Sequence, residues 1–388
     1  MKKTLPLLLA LLASSIAGAQ DTTKFGFKSQ PYLQNMTEAG VTVMWLTNQM
    51  CTSYLLVGET DNPTIKVQTI HHGQVDANVP VQKIRIANLT PGKTYYYRAV
   101  SKKIVSYQRS KVEYGDSVVS KLLSFTLPSS SKRKFSFLSF NDIHGQPAYI
   151  DTVCARYPEF DFAIYDGDAV SDIFTEKQLL DNLCGSALGR YAGLKPLVYV
   201  RGNHETRGPE SRILERYVDT PNGEYFYTFV WGNTCFLVVD CGEDKDDGHP
   251  AYGGLSSFDG YRSEEALWIK KVVASKEWRK AEHRIVCSHM PLTLDDGEKW
   301  HGPLDLSRKL IPILNEANVD LVIAGHIHRG LIEKPTPTRK YAVVVGGGPA
   351  YETGPKKCTT VIKVSIDGKK LKAELLRRDG SLIDTYEK

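Results

Sequence analysis

Five short stretches of the sequence combine carboxylate, amide and imidazole side chains, the groups that bind transition metals and transfer protons. They contain half of the chain's ten histidines. The stretches are residues 141–145, 166–168, 201–205, 288–291 and 325–328. Imidazole and carboxylate groups suit Zn, Mn and Fe. Any one of these residues alone is most often a turn cap or a surface group, but five such stretches together favour a metal site.

The spacing within the stretches indicates how the ligands are paired. Asp142 and His144 are two residues apart, so they leave a strand end in the same direction and can bind one ion. His326 and His328 repeat this spacing. Two ions about 3.5–4 Å apart need a bridging carboxylate. Asp168 is the best candidate for that bridge, because the glycine before it allows a close approach of the backbone.

Each polar stretch follows an apolar run of strand length. The runs are residues 135–140, 160–165, 197–200, 284–287 and 321–324. In open α/β sheets, functional groups gather beyond the carboxyl ends of the strands. The five stretches are therefore expected to come from one region of sheet and to converge on one crevice.

The texture of the sequence changes near residue 130. Residues 26–126 consist of short strand patterns and turns, including an alternating strand at 41–46 and an aromatic strand at 95–97. The polar stretch 128–134 is typical of a linker. From residue 135 onward, strand-like runs alternate with helix-like segments such as 263–280, which predicts an α/β domain.

Length and composition exclude several classes of protein. The chain has 388 residues, of which 41% are hydrophobic and 24% charged, so it is not a disordered polyelectrolyte. A net charge of +5 is too small to propose nucleic acid as a partner. Seven cysteines do not form a disulfide framework in a chain of this length. No segment is apolar enough to predict a membrane span.

The first nineteen residues predict a cleavable signal peptide. Lys2 and Lys3 precede an apolar run, and the run ends at the small residues 17–19. The run is shorter than the roughly 20 residues that span a bilayer. We therefore expect a secreted or periplasmic protein.

The motifs, taken in order, resemble the calcineurin-like metallophosphoesterase superfamily. These are Asp-x-His, Gly-Asp, Gly-Asn-His-Glu, Val-x-x-His and Gly-His-x-His, and they extend over residues 135–330. The region before them resembles the N-terminal domain of plant-type purple acid phosphatases, down to Gln-Pro-Tyr-Leu-Gln at 30–34. The Leu…Pro-Gly…Tyr spacing at 89–97 resembles a fibronectin type III domain.

The resemblance implies a multidomain fold. A signal peptide at 1–19 would precede an all-β fibronectin III-like sandwich at 26–128. An α/β metallophosphoesterase domain at 135–388 would follow, with two packed mixed β-sheets flanked by helices. Substrate chemistry is expected in the second domain.

The resemblance also implies a role for each matching residue. The first metal would be held by Asp142, His144 and His328, with Asp168 as the bridge. The second metal would be held by Asn203, His289 and His326. His204 would contact the phosphate or protonate the leaving oxygen. Two further residues are implied: His301 as a substrate-facing histidine and Asp172 as the carboxylate that supports His204.

One position departs from the purple branch. Purple acid phosphatases bind ferric iron through a tyrosine in Gly-Asp-x-x-Tyr, and Ser171 occupies that place here. The same branch lacks a histidine corresponding to His144. The metal shell therefore resembles the wider calcineurin-like group, with Zn, Mn or Fe as the expected divalent ions.

The predicted function is hydrolysis of phosphate monoesters by a metal-activated hydroxide, with a small phosphorylated substrate. Because the same centre can cleave diesters, a phosphodiesterase or nucleotide hydrolase is the first alternative. A non-catalytic secreted binding protein is the remote alternative. Intact ligands in all five stretches argue against it.

Overall fold

The computed structural model describes residues 24–184, 189–294, 299–349 and 359–388. The predicted signal peptide, residues 1–19, lies outside these ranges. The described residues form twenty-one strands and five α-helices. Among them, no helix is both long enough and apolar enough to cross a membrane.

The strands, in chain order, are β1 (Phe27–Thr37), β2 (Gly40–Gly58), β3 (Ile65–Val67), β4 (Ile70–His71), β5 (Gln74–Val75), β6 (Ala77–Ile86), β7 (Thr94–Gln108), β8 (Lys111–Val119), β9 (Leu123–Thr126), β10 (Lys134–Phe140), β11 (Phe162–Asp166), β12 (Leu197–Val200), β13 (Tyr227–Trp231), β14 (Thr234–Val239), β15 (His283–Ser288), β16 (Leu321–Ala324), β17 (Leu331–Glu333), β18 (Ala342–Val345), β19 (Thr360–Asp367), β20 (Lys370–Arg377) and β21 (Leu382–Glu387). The helices are α1 (Ala148–Arg156), α2 (Glu176–Asn182), α3 (Phe258–Val273), α4 (Lys276–Lys280) and α5 (His301–Glu316).

The region before residue 127 is entirely β in its described part. Strand β2 is nineteen residues long, and its first half pairs with β1 and β6 while its second half pairs with β3 and β7. A register shift between Leu46 and Cys51 separates the two halves. Because β2 joins both sets of strands, their hydrogen bonding is continuous.

The region from residue 134 onward has the mixed sheets and helices of an α/β fold. Strands β10, β11 and β12 are parallel neighbours, and β19, β20 and β21 extend the same sheet in antiparallel fashion. A second, six-stranded sheet has the order β13-β14-β15-β16-β18-β17. The helix-like segment 263–280 is divided into α3 and α4.

The two regions share a sheet and a core. Strand β1 pairs in parallel with β12 at Gln34 and Leu197, so thirteen strands form one sheet. The Tyr97 hydroxyl donates to the Gly193 carbonyl across this junction at 2.8 Å. The largest core cluster contains side chains from both regions, among them Trp45 and Phe162. Burial of apolar surface at the junction therefore stabilises both regions together.

The five apolar runs are strands β10, β11, β12, β15 and β16, as their composition predicts. They do not come from one sheet. The first three lie in the thirteen-stranded sheet, and the last two lie in the six-stranded sheet. Pairing partners depend on tertiary contacts that the runs themselves do not encode. The polar stretches therefore meet from two sheets instead of one.

Candidate metal centre

The structure brings the seven predicted metal ligands together beyond the ends of these strands. Asp142 and His144 follow β10, Asp168 follows β11, and Asn203 follows β12. The remaining three are supplied by the six-stranded sheet: His289 follows β15, and His326 and His328 follow β16. Ligand-type atoms form compact sets within 4.8 Å of one another, namely Asp142–His144–His328, His144–Asp168–His204 and Asp168–His289–His326. The first and last of these sets correspond to the two predicted metal sites.

Asp168 lies between the imidazoles. Its Oδ2 is 3.1 Å from Nε2 of His289, 3.6 Å from Nε2 of His144 and 3.8 Å from Nε2 of His204. Its other oxygen, Oδ1, accepts a hydrogen bond from the His204 backbone N–H at 3.0 Å. Asp168 is only 1% exposed. A carboxylate with this many imidazole neighbours can serve two adjacent ions, as the bridging prediction requires.

Five of the predicted ligands have left-handed backbone conformations. Among the described residues, eleven other than glycine have positive φ, and the ligands among them are Asp142, His144, Asp168, His326 and His328, with φ of 45–71°. The other six are five asparagines and His72. Left-handed conformations are costly for most residues and cluster at functional sites. The turns that follow the strands are therefore less stable locally than ordinary turns, and their conformation directs these side chains toward one point.

Buried hydrogen bonds hold the turns in place. The Asp142 carboxylate accepts from the His326 backbone N–H, with both oxygens at 3.0 Å. The ring nitrogen Nδ1 of His326 lies 3.1 Å from Oδ1 of Asn203. Nδ1 of His289 lies 2.8 Å from the Asp166 carbonyl oxygen, so its Nε2 is left to face Asp168. Fixing one ring nitrogen in this way orients the other for metal binding.

Burial and crowding keep three imidazoles uncharged. Desolvation lowers the pKa of His144, His326 and His328 to about 4, and the neighbouring histidines contribute to this lowering. Burial also favours the uncharged form of His289, but the carboxylates of Asp168, Asp142 and Asp166 outweigh it and raise the pKa of His289 to about 10. Burial would raise the pKa of Asp168, but His289, His204 and His144 hold that pKa well below its usual range. Neutral imidazole and ionised carboxylate are the forms that bind metals.

These residues fit a pair of divalent ions. Nε2 of His144 is buried without a hydrogen-bond partner among the described residues, although it faces Asp168. A buried nitrogen acceptor without a donor is costly unless something else binds it. The donor set of imidazole, carboxylate and amide oxygen suits Zn, Mn or Fe. In the described part of the chain, no candidate metal group includes a residue before Asp142.

His204 lies beside this cluster, but its support differs from the prediction. Its Nδ1 is 2.6 Å from the carbonyl oxygen of Ser171. A backbone carbonyl therefore accepts the hydrogen bond that a carboxylate was expected to accept. Asp172 instead accepts a hydrogen bond from Nε2 of Gln178 at 2.7 Å. The assignment of Asp172 as the support of His204 is therefore wrong for this structure. The resemblance implies a supporting aspartate at position 171, one residue before Asp172. In this chain the Asp172 side chain faces Gln178, and the carbonyl of Ser171 faces the imidazole.

The structure does not bring His301 into the cluster. His301 is the first residue of α5, and its Nε2 lies 2.8 Å from Oδ1 of Asp259. It belongs to a separate group with Asp259 and Asp305, whose carboxylates also accept from the buried Arg262. Its position at the start of this helix, paired with an acidic side chain of α3, gives no support to a substrate-facing role.

Two residues that organise the site were not singled out from the sequence. Glu205 is buried, and its carboxylate accepts from the backbone N–H groups of Gly202, Asp168 and Ala169 at 2.6–2.9 Å, tying two ligand turns together. Its place as the last residue of Gly-Asn-His-Glu was the available signal. Arg207 places Nη1 3.0 Å from Nε2 of His204. No motif marks Arg207, because the carboxylates that hold it come from a distant loop.

Glu243 and Asp244 fix the Arg207 guanidinium. Nε of Arg207 donates to Glu243 at 3.0 Å, and Nη2 donates to Glu243 at 2.8 Å and to Asp244 at 3.2 Å. These carboxylates outweigh the effect of burial and raise the pKa of Arg207 above its usual value. Nη1 is left to face His204. A fixed positive charge therefore stands between the cluster and the adjoining surface.

Comparison with protein families identifies the domain that carries these residues. A family model described as calcineurin-like phosphoesterase matches residues 135–330. The serine/threonine-protein phosphatase CPPED1 of Homo sapiens is 28% identical over 140 residues, which are 34% of this chain and 42% of the human protein. The Mus musculus protein of the same name is 27% identical over 139 residues, with the same shares of each chain. The match therefore spans less than half the length of these relatives.

Solved structures resemble a much larger part of the chain. The purple acid phosphatase PPD1 from yellow lupin seeds superposes with a TM-score of 0.70 at 15% identity, covering 92% of this chain and 73% of the lupin chain. PhoD superposes with a TM-score of 0.66 at 11% identity, covering 95% of this chain and 93% of its own. At these identities the likeness concerns the fold. It extends over both regions described above.

Proposed function

The chain belongs to the calcineurin-like phosphoesterase family, and from that premise we propose that it is a binuclear-metal phosphatase that hydrolyses phosphate monoesters. The observation that carries the proposal is the convergence of the seven predicted ligands, six of them around Asp168. A family member that had lost its chemistry would be free to lose several of them. The five ligands with left-handed backbone conformations, in three turns, would also be costly to retain without a function.

The proposed ligand sets are those of the sequence prediction. Asp142, His144 and His328 would hold one ion, and Asn203, His289 and His326 would hold the other, with Asp168 between them. Divalent ions bound there would polarise the phosphate ester and make a water molecule nucleophilic near neutral pH. The protein's own contribution is to fix these side chains in a buried site and to exclude bulk water from Asp142 and His289, both fully buried.

His204 is proposed as the proton donor to the leaving oxygen. Its Nδ1–H donates to the Ser171 carbonyl, which orients the ring and directs Nε2 toward Asp168 and toward Nη1 of Arg207, 3.0 Å away. Nε2 lies 3.8 Å from Oδ2 of Asp168, so it is adjacent to the proposed phosphate position. Arg207 would offer its Nη1 to an oxygen of the same phosphate group. Positioned donors stabilise the charge that develops during phosphoryl transfer.

The test compares a monoester with a diester. Purified protein, stripped with a chelator and reloaded with Zn or Mn, is assayed on p-nitrophenyl phosphate and on bis-p-nitrophenyl phosphate. The proposal expects metal-dependent hydrolysis with a higher kcat/KM on the monoester. A higher kcat/KM on the diester would favour a phosphodiesterase, and no turnover of either compound by metal-loaded protein would favour the binding protein.

We also propose that the β region is a fibronectin type III-like domain. Its support is the hydrogen bond from the Thr90 backbone N–H to the Tyr95 hydroxyl at 3.0 Å, since a tyrosine hydroxyl bonded to backbone a few residues upstream is typical of that fold class. The proposed boundaries are 26–128 and 135–388.

Export is a further proposal, and it rests on the signal-like residues 1–19 alone. Its test is N-terminal sequencing of the protein recovered from its native host. A mature chain that begins near Gln20 supports export, and a chain that retains its first residues contradicts it.

A further inference from the structure

A cavity of about 610 Å³ is lined by Ser171 and Arg207, two residues that contact the His204 ring. We propose that this cavity receives the leaving group, and that the natural substrate is a phosphate ester of a large aromatic alcohol. This inference rests on the proposed function and adds the class of substrate. It depends chiefly on Phe174 and Leu255, which have no part in the predicted or proposed roles.

The position of the cavity follows from the loops that build it. Its walls come from residues 171–174 after β11, 206–212 after β12 and 243–258 after β14. The first two loops also continue the turns that carry Asp168 and His204. Strand β14 belongs to the six-stranded sheet, so the cavity lies between the ends of both sheets, as the proposed metal centre does.

His204 stands at the boundary between the cluster and the cavity. Its Nε2 is near Asp168 on one side and is 3.0 Å from Nη1 of Arg207, a cavity residue, on the other. Ser171, which accepts from the His204 ring, also lines the cavity. A general acid must contact the leaving oxygen. When the phosphate lies at the cluster, the group attached to that oxygen therefore extends past His204 into this cavity.

The walls favour a large apolar group. Phe174 and Leu255 line the cavity with 60% and 76% of their surface exposed, so their apolar faces are open to a bound group. Tyr252 and Phe258 are also in the wall. The volume falls within the range of about 300–1,000 Å³ that small-molecule sites occupy. Aromatic side chains around such a space favour an aromatic ring through stacked or edge-on contacts.

The ion pairs in the wall leave few cations that could bind a negatively charged leaving group. Arg207 forms ion pairs with Glu243 and Asp244. Lys245 forms an ion pair with Asp244. Arg212 is the cation of the wall for which the described residues provide no ion pair. A leaving group with several phosphates would therefore lack free cations to bind it. The cavity suits an aromatic group with at most one negative charge.

The experiment compares phenyl phosphate with 2-naphthyl phosphate, since their leaving groups are nearly equally acidic and differ in size. Wild-type enzyme is expected to have the higher kcat/KM on the naphthyl ester. In Phe174→Ala and in Leu255→Ala, the naphthyl-to-phenyl ratio of kcat/KM should fall by about 2- to 12-fold, the equivalent of one lost aromatic or apolar contact. Both side chains are exposed, so the variants should fold; circular dichroism and metal content check this.

Tyr107→Ala is the matched control, because Tyr107 is 66% exposed on β7 and is not part of the cavity wall. This variant should keep the wild-type ratio. An unchanged ratio in both cavity variants, or equal kcat/KM on the two esters in wild type, would overturn the inference while the phosphatase proposal stands. Failure of metal-loaded wild type to hydrolyse either ester would instead overturn the proposed function on which the inference rests.

Discussion

His204 is the proposed proton donor, and its contacts differ from those of the proposed metal ligands. Its ring donates to a backbone carbonyl, and its Nε2 lies between Asp168 and Arg207. The seven predicted ligands differ from it in role: six contribute to one of the two proposed ligand sets each, and Asp168 lies between the two. The distinction between ligand and acid is therefore a matter of what each ring faces, and it can be tested by substitution.

We expect His204→Ala to retain the metal content of wild type while kcat falls by about 10²- to 10⁴-fold on esters of poor leaving groups. The loss should be smaller on p-nitrophenyl phosphate, because p-nitrophenolate leaves without protonation. The measurement is kcat across a series of aryl phosphates, with bound metal determined on the same samples. Equal losses across the series would remove His204 from the acid role.

Ser171 and Tyr165 together predict the colour of the iron-loaded protein. Ser171 occupies the position of the iron-binding tyrosine of the purple branch, and its Oγ lies 3.4 Å from Nδ1 of His144. Tyr165 is buried within β11 in a hydrophobic cluster with Phe140 and cannot reach the turn. We therefore expect no intense tyrosinate-to-iron band in a visible spectrum after iron loading. An intense band, with activity restored by iron only, would contradict this assignment.

The sequence could identify those residues whose roles follow from a short motif at the end of a strand. Asp142, His144, Asp168 and Asn203 were predicted from strand-end motifs, and the structure brings them together. Asp172 was assigned wrongly because it lies one residue beyond the expected position, so the Ser171 carbonyl, not the Asp172 side chain, faces His204. Arg207 was missed because its position depends on Glu243, thirty-six residues away along the chain.

At the scale of elements, the turn after β11 packs so closely against β15 that it leaves no space for a side chain at residue 167. Gly167 has φ +80°, and a Cβ there would lie 2.3 Å from the His289 ring. The turn after β11 can therefore reach the end of β15 only because residue 167 has no side chain. The five strands were predictable from their composition. Their division between two sheets was not, because register and partner depend on the assembled core.

Gly167→Ala should impair metal binding and lower stability. The left-handed alanine costs about 1–2 kcal/mol, and the clash with His289 adds about 1–3 kcal/mol of overpacking. Gly73→Ala is the matched control, since Gly73 has φ +83° with nothing within 4 Å of its added Cβ. The two variants are compared by urea denaturation and by metal content. If Gly73→Ala and Gly167→Ala behave alike, the close approach of the turn to His289 does not matter.

At the scale of the whole molecule, the β region and the α/β region are joined by hydrogen bonding and by packing. They share a sheet at Gln34 and Leu197 and a hydrophobic core that contains side chains from both. The sequence predicted the change of texture near residue 130. It did not predict the continuous core, because apolar residues on either side of a linker do not reveal which face they share.

We expect a single unfolding transition, and Tyr97→Phe should lower the free energy of unfolding by about 1–3 kcal/mol, because the Gly193 carbonyl loses a buried donor. Tyr107→Phe, on an exposed side chain, should change it by less than about 0.5 kcal/mol. Denaturation followed by circular dichroism and by tryptophan fluorescence measures both variants. Two separate transitions in wild type would show that the regions unfold independently.

The central claim is that the side chains around Asp168 hold two metal ions. The most direct measurement is anomalous diffraction from crystals of manganese- or zinc-loaded protein, made for wild type and for Asp168→Asn. Wild type should show two ions, one contacted by Asp142, His144 and His328 and the other by Asn203, His289 and His326, with Asp168 touching both. Asp168→Asn should lose at least one of them. A single ion in wild type, ions at other side chains, or two ions retained in Asp168→Asn would contradict the account.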